Sequence, residues 1–407
     1  MYNILVGQSG GPTSVINASL YGVVDNALKN ENVNKVYGMV HGIEGFLEGK
    51  TLDFNEYASE HEIEMLKTTP ASFLGSCRYK LPESIDDDVY EKLFQRFKEM
   101  DINAVVYIGG NDSMDTVAKL SKYADKIGSD IACMGVPKTV DNDLVCTDHT
   151  PGFGSIAKYV ATTMKEVILD AGVYGKPVVT IVELMGRHAG WITAASVLAR
   201  TEFDKNPMLI YLPETTFDIN RFVKDVKEAL KQQNSVVVCV SEGLVDSEGK
   251  LICEYGTESD ADAFGHKMLA GCGKIIADIV KEEIGCKSRA VEINLPQRCS
   301  AVLASKTDID EAVRAGSFAV NSIVEKNTGK MIAFERVSED PYGIEYRLVD
   351  VADVCNKEKK FPKEWITGNG ADIAEEFVSY VLPLIQGESS VPFENGISKH
   401  LIPTYML

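Results

Sequence analysis

Within the stretch Gly135-Val136-Pro137-Lys138-Thr139-Val140-Asp141-Asn142-Asp143, a cation, a hydroxyl and two carboxylates follow one another closely. Aspartates at i and i+2 can act as a base and a metal ligand in group transfer, and can equally cap a following helix. Glycine-rich clusters recur elsewhere: Gly7-Gln8-Ser9-Gly10-Gly11, Gly109-Gly110-Asn111-Asp112-Ser113 and Met185-Gly186-Arg187-His188-Ala189-Gly190. Glycines at a strand exit let backbone N–H groups approach phosphate oxygens, and a helix beginning beyond adds its positive end. Taken singly, each cluster is also an ordinary tight turn. Phosphoryl transfer needs cations to neutralise the moving group and a base to take the hydroxyl proton. Lys138, Arg78, Arg187, Arg289 and Arg298 are candidate cations, and Asp141 and Asp143 offer the base and the metal ligand. An isolated arginine is more commonly a surface residue, and His188, inside a glycine-rich turn, is assigned no role.

Other phosphate signatures are missing. There is no G-x-x-x-x-G-K-[ST] loop and no H-R-D or D-F-G of a protein kinase. Gly152-Phe153-Gly154-Ser155-Ile156-Ala157 matches a dinucleotide pattern by letter but follows Asp148-His149-Thr150-Pro151 instead of an apolar strand, so it is discounted.

The clusters need a scaffold, and the hydrophobic pattern supplies one. Short β-branched runs occupy Tyr2–Val6, Val33–Val40, Ile102–Ile108, Ile131–Val136, Val178–Leu184, Met208–Leu212, Ser235–Val240 and Ala290–Leu295. They do not alternate with polar residues, which suits strands covered on both faces. Residues 86–100, 156–169 and 222–230 carry apolar side chains at helical spacing. Strand, loop and helix in repetition predict an α/β fold with right-handed crossovers, whose ligands sit beyond the carboxyl ends of the strands. Each cluster above follows such a run, as do Pro213-Glu214, Glu242-Gly243 and Gln297-Arg298.

At 407 residues the chain is long enough for two domains. A formal charge of -19 argues against nucleic acid, because the average surface repels polyanions. Met1-Tyr2-Asn3-Ile4-Leu5-Val6-Gly7 does not resemble a signal peptide, and no apolar run approaches a bilayer span of about 20 residues, so no membrane partner is expected. The nine cysteines are dispersed with no C-x-x-C pair, which predicts reduced thiols in a cytoplasmic protein.

Taken in order, Ser9-Gly10-Gly11 with Asn17, Gly75-Ser76-Cys77-Arg78, Gly109 to Ser113, Pro137 to Asp143, Met185-Gly186-Arg187, Ser241-Glu242-Gly243 and Gln297-Arg298 resemble the phosphofructokinase family over roughly residues 1–350. The resemblance implies two doubly wound three-layer α/β/α domains with mostly parallel sheets and the active site in the cleft between them. It places residues 1–152 and 297–350 in a larger donor-binding domain, 153–296 and 351–375 in a smaller sugar-phosphate domain, and leaves 376–407 as a C-terminal extension. The implied reaction is attack of the 1-hydroxyl of fructose 6-phosphate on a magnesium-bound phosphoryl donor, in glycolysis or gluconeogenesis. Asp141 then resembles the general base, Thr139 a ligand to the substrate or transferred group, and Asp143 a carboxylate ordering the centre and its Mg2+. Met185, Gly186 and Arg187 resemble the sugar-phosphate segment, Glu242 the carboxylate on sugar hydroxyls, and Arg298 the 6-phosphate clamp. Gly10, Gly11, Arg78 and Gly110 fall on the donor side. Arg289 matches an arginine lent across subunits, which implies a homodimer or homotetramer.

Two positions bear on the donor. Where ATP-using relatives typically carry glycines, this sequence has Asp112 and Lys138, as in pyrophosphate-dependent members. A carboxylate there repels a third phosphate, and an ammonium binds a pyrophosphate oxygen as a point charge. Pyrophosphate is the expected donor. Other departures touch the chemistry: Asn111 stands where relatives often have a metal-binding aspartate, leaving Mg2+ to Asn111, Asp112, Asp143 or the donor itself, and Leu295 replaces a polar residue before the clamp arginine. Tyr21 and Asp25 fall where allosteric relatives carry arginines, so nucleotide control is not expected. The competing readings are an ATP-dependent enzyme of the same fold and a catalytically weakened phosphosugar sensor.

Overall fold

A computed structural model describes residues 1–57, 59–255, 271–403 and 406. The contact pattern divides the chain into one unit of residues 1–155, 298–359 and 384–407, and a second of 156–297 and 360–383. In this division residues 351–359 fall with the first unit, and the expected extension 376–407 is split between the second unit, up to residue 383, and the first, from residue 384.

Eleven strands form the two main sheets among the described residues: β1 (Tyr2–Gln8), β2 (Val33–Met39), β3 (Thr51–Asp53), β4 (Ala104–Gly109), β5 (Ala132–Pro137), β6 (Val178–Leu184), β7 (Leu209–Tyr211), β8 (Ser235–Ser241), β9 (Lys287–Glu292), β10 (Lys330–Glu339) and β11 (Tyr342–Asp350). The first unit orders its strands β11-β10-β5-β4-β1-β2-β3, parallel except for the two edge pairs. The second orders them β7-β8-β6-β9, parallel throughout.

Both faces of the first sheet are covered, and the strand period shows how. Ile4, Val6, Val106, Ile108, Met134 and Val136 belong to one buried cluster, while the alternate residues Leu5, Val105, Tyr107 and Cys133 belong to another on the opposite face. In the second unit Val179, Ile181, Val236, Val238 and Val240 join Phe217, Phe222 and Ile276 in a third cluster.

Two sequence expectations shift. The final run is a strand over Lys287–Glu292, and Leu295 lies beyond it, 56% exposed. The hairpin β10–β11 has no counterpart among the expected strands, because Glu335, Arg336, Glu345 and Arg347 break up its apolar run. An antiparallel edge can keep one face wet.

Candidate active site

The strand exits of the first unit are held together by buried amides. Gln8, at the end of β1, donates through Nε2 to Asn17 Oδ1 (2.8 Å) and accepts from Leu74 N through Oε1 (2.9 Å). Asn17 donates to the Thr69 carbonyl (2.9 Å) and accepts from Phe73 N (2.8 Å). These bonds pin the 69–77 loop against the β1 exit, where Ser76 Oγ donates to Gly10 O (2.6 Å) and Gly10 N to Cys77 O (3.3 Å). Arg78, the next residue, lines the same cavity as Gly10 and Gly11.

At the β4 exit the helix Asn111–Ile127 begins at once, with Gly110 as its N-cap residue. A Cβ at Gly109 would overlap Ser113 Oγ, so only glycine permits that abrupt start. The Gly109 carbonyl accepts from Lys138 N (3.0 Å), tying the β4 and β5 exits together.

A cavity of about 980 Å³ results, lined by Gly10, Gly11, Arg78, Gly110, Asn111, Asp112, Lys138, Thr139 and Asp143 among others. Lys138 is 3% exposed, and its Nζ donates to the Gly11 carbonyl at 2.7 Å. Burial draws its pKa down to about 8, against the opposing pull of Asp141 and Asp143. Arg298 belongs to this group: a Cβ built on Gly11 would lie 3.3 Å from its Nη1.

The 139–143 turn follows. Thr139 Oγ1 accepts from Asp141 N at 3.1 Å. Asn142, buried between the two aspartates, has a φ of 52°, the left-handed region that asparagine tolerates better than most residues. Burial raises the pKa of Asp143, with Thr139 opposing. Its Oδ1 is buried without a hydrogen-bond partner, a condition that costs about 1–3 kcal/mol unless a ligand relieves it.

Asn111 and Asp112 are engaged differently from the metal-ligand expectation. Asn111 Oδ1 accepts from Asn356 N (2.6 Å) and its Nδ2 donates to the Lys357 carbonyl, so its amide is committed to the backbone of a distant segment. Asp112 pairs with Lys80 at 2.9 Å, both side chains largely exposed. Sequence reasoning missed Tyr79, Lys80, Asn356 and Glu358 in the lining. Tyr79 and Lys80 directly follow Arg78 and were within reach of the motif, whereas nothing in the sequence ties residues 356–358 to it.

In the second unit the β6 exit carries Met185, Gly186 and Arg187, and the β8 exit carries Glu242. Ser241 Oγ donates to the Gly186 carbonyl, Glu242 N donates to Leu184 O (3.0 Å), and Gly186 N donates to Glu242 Oε1 (3.4 Å). A Cβ at Gly243 would overlap the Arg187 carbonyl oxygen, so the two exits lie in backbone contact. Gln297 Oε1 accepts from Met185 N at 3.3 Å. The Arg187 side chain is exposed. Arg289, on β9, is not part of this group; it pairs with Asp170 at 3.4 Å and lies over the Tyr174 ring. Glu214, a strand-exit residue given no role, accepts from Gly190 N (2.9 Å) and Phe361 N (3.0 Å) and holds those segments together.

Comparison with known proteins identifies the family and the fold. A family model described as phosphofructokinase matches residues 3–323. The chain is 40% identical over 402 residues to a Halomonas elongata protein named pyrophosphate–fructose 6-phosphate 1-phosphotransferase, covering 98% of this chain and 95% of that one. A Methylococcus capsulatus protein of the same name is 38% identical over 403 residues, with 98% and 95% covered. Among solved structures, a pyrophosphate-dependent phosphofructokinase from Nitrosospira multiformis superposes with a TM-score of 0.88 at 36% identity, covering 98% of this chain and 95% of that one.

Proposed function

The chain belongs to the phosphofructokinase family, and from that premise we infer that it transfers a phosphoryl group from pyrophosphate to the 1-hydroxyl of fructose 6-phosphate, reversibly, giving fructose 1,6-bisphosphate and phosphate. The observation that carries the donor reading is Lys138: a buried ammonium lining the cavity, fixed on the Gly11 carbonyl and close to Arg298 and Arg78. Its long side chain would occlude the space beyond the second phosphate while presenting a charge suited to a compact dianion or trianion. Asp112 places a carboxylate at the same cavity, unfavourable to a third phosphate.

Asp141 takes the proton of the attacking hydroxyl, and Thr139 orders that turn through its bond from Asp141 N. Lys138, Arg78 and Arg298 neutralise donor and sugar phosphate. Met185, Gly186, Arg187 and Glu242 hold fructose 6-phosphate, with Arg187 meeting the charge that develops on the transferred group.

The turn suits magnesium. The partnerless Oδ1 of Asp143 is a hard oxygen donor with no competing hydrogen bond, and the described residues gather no cluster of three acidic, histidine or cysteine side chains. Magnesium is ordinarily held by one or two carboxylates together with substrate phosphates, so Asp143 would hold it with the donor's own oxygens. When bound, the ion neutralises charge on the donor phosphates.

The protein acts as a homodimer or homotetramer in the cytoplasm, with Arg289 reaching a neighbouring subunit's sugar phosphate. In support, β9 is an edge strand, and Leu169, Val173 and Tyr174 near Arg289 are exposed. No helix among the described residues is long and apolar enough to cross a membrane.

The test is a coupled assay with fructose 6-phosphate, magnesium and either pyrophosphate or ATP. Turnover with pyrophosphate is expected. Turnover with ATP alone would overturn the donor, and turnover with neither would favour a phosphosugar sensor.

A further inference from the structure

Residues 356–359 lie against the donor site of the first unit, yet no motif contains them. Asn356 and Glu358 line the cavity. Besides the bond from Asn356 Nδ2 to Asp115 Oδ1 at 3.3 Å, two contacts tie the segment to residues of the site. The first is Asn111, whose side chain accepts from Asn356 N at 2.6 Å and donates to the Lys357 carbonyl. A carboxamide can accept and donate at once, as this pairing requires; an ionised aspartate can only accept. That is a physical reason for asparagine at this position.

The second is Lys359. Its backbone N–H donates to the Asp143 carbonyl at 2.7 Å. Its Nζ donates to the carbonyls of Asp148 (2.7 Å) and Thr147 (3.2 Å) and reaches Asn142 Oδ1 at 3.4 Å. One cation thus bridges both ends of the 142–148 loop. Asn142 is the left-handed residue that turns the backbone between Asp141 and Asp143, and Thr150 Oγ1 donates to the same Oδ1 at 3.5 Å. Burial lowers the Lys359 pKa to about 8, with Asp148 and Asp143 opposing and Arg336 adding to the fall. A desolvated ammonium facing backbone carbonyls is costly to bury and strict in its geometry.

We propose that Lys359 is a positioning residue for the Asp141–Asp143 turn, and that Asn111 is the clasp that seats the segment carrying it. The proposal rests on the reading of Asp141 as base. Lys359 touches neither substrate in this account; it fixes the directions in which the two carboxylates leave the backbone. Misplacing a reacting group by about 1 Å can cost on the order of 100-fold in rate.

The experiment compares wild type with Lys359→Met, Lys359→Arg and Asn111→Asp. For Lys359→Met, kcat is expected to fall roughly 10- to 100-fold, with KM for fructose 6-phosphate and for pyrophosphate within about three-fold; Lys359→Arg, which keeps the charge and donors, recovers part of the loss. Hydrogen exchange of peptides covering residues 141–149 is expected to accelerate in Lys359→Met, a readout that needs no turnover and therefore stands apart from the donor assay. Asn111→Asp is expected to lower kcat as Lys359→Met does, since it cannot donate to Lys357. Wild-type kcat and unchanged exchange in Lys359→Met would overturn the positioning role. Tighter magnesium binding by calorimetry together with an equal or higher kcat in Asn111→Asp would overturn the clasp and return residue 111 to the metal. Should Lys359→Met fail to fold, Lys359→Gln carries the same comparison.

Discussion

The strand exits of the two units use the same residue types and are fixed in different ways. In the first unit, side chains do the fixing: Gln8 and Asn17 pin a loop, and Lys138 is buried on the Gly11 carbonyl. In the second, a close backbone approach is added to side-chain bonds: Gly243 lies against the Arg187 carbonyl, the Glu242 carboxylate and the Ser241 hydroxyl hold the Gly186 amide and carbonyl, and Arg187 is left exposed. Buried charge is rigid and selective; an exposed arginine on a shaped turn is available for capture. The first unit therefore buries its cation and the second leaves its arginine open. Under the proposed function the first would discriminate between donors and the second receive the sugar phosphate; each prediction below challenges one half of that contrast.

The largest effect belongs to Asp141. Asp141→Ala should lower kcat by about three to four orders of magnitude while fructose 6-phosphate still binds in a calorimetric titration; a near-normal rate would remove it as the base. Next comes the donor pair. Lys138→Gly with Asp112→Gly should cut kcat/KM for pyrophosphate by at least about 100-fold and bring ATP turnover up from background, measured in parallel assays. A variant that merely loses pyrophosphate activity would leave Lys138 as a binding residue without a role in selection. On the sugar side, Gly243→Ala should displace the Arg187 turn and raise KM for fructose 6-phosphate about ten-fold with little change for pyrophosphate. Equal effects on both substrates would erase the contrast between the units.

A smaller effect is the pH profile. Lys138, lowered to about 8 by burial, is charged below that pH and neutral above it, so kcat/KM for pyrophosphate should fall as pH rises through about 8. Lys138→Arg, which stays protonated, should flatten that limb. Smallest of all is the expected response to ADP or phosphoenolpyruvate: none in a rate assay, given Tyr21 and Asp25 on the first helix.

The parallel strands were legible because β-branched runs buried on both faces leave a strong signal, and the strand-exit rule then led to Gly10, Gly110, Lys138 and Glu242. The β10–β11 hairpin was not, since alternating charge on a wet edge reads as loop. Asn111 shows a subtler limit. Its departure from the family pattern was visible, but its partners lie some 245 positions away, and a backbone N–H and C=O leave no trace in residue identity. Lys359 and Glu358 were hidden for the same reason: a segment's place on a site is set by tertiary packing, and Lys359 reads locally as one more lysine in a polar stretch.

The central claim is that pyrophosphate is the phosphoryl donor, and the reverse reaction tests it most directly. Fructose 1,6-bisphosphate, inorganic phosphate and magnesium, followed by phosphorus-31 NMR with the purified protein, should yield a growing pyrophosphate resonance together with fructose 6-phosphate. No pyrophosphate under those conditions, with ATP formed when ADP replaces phosphate, would contradict the account.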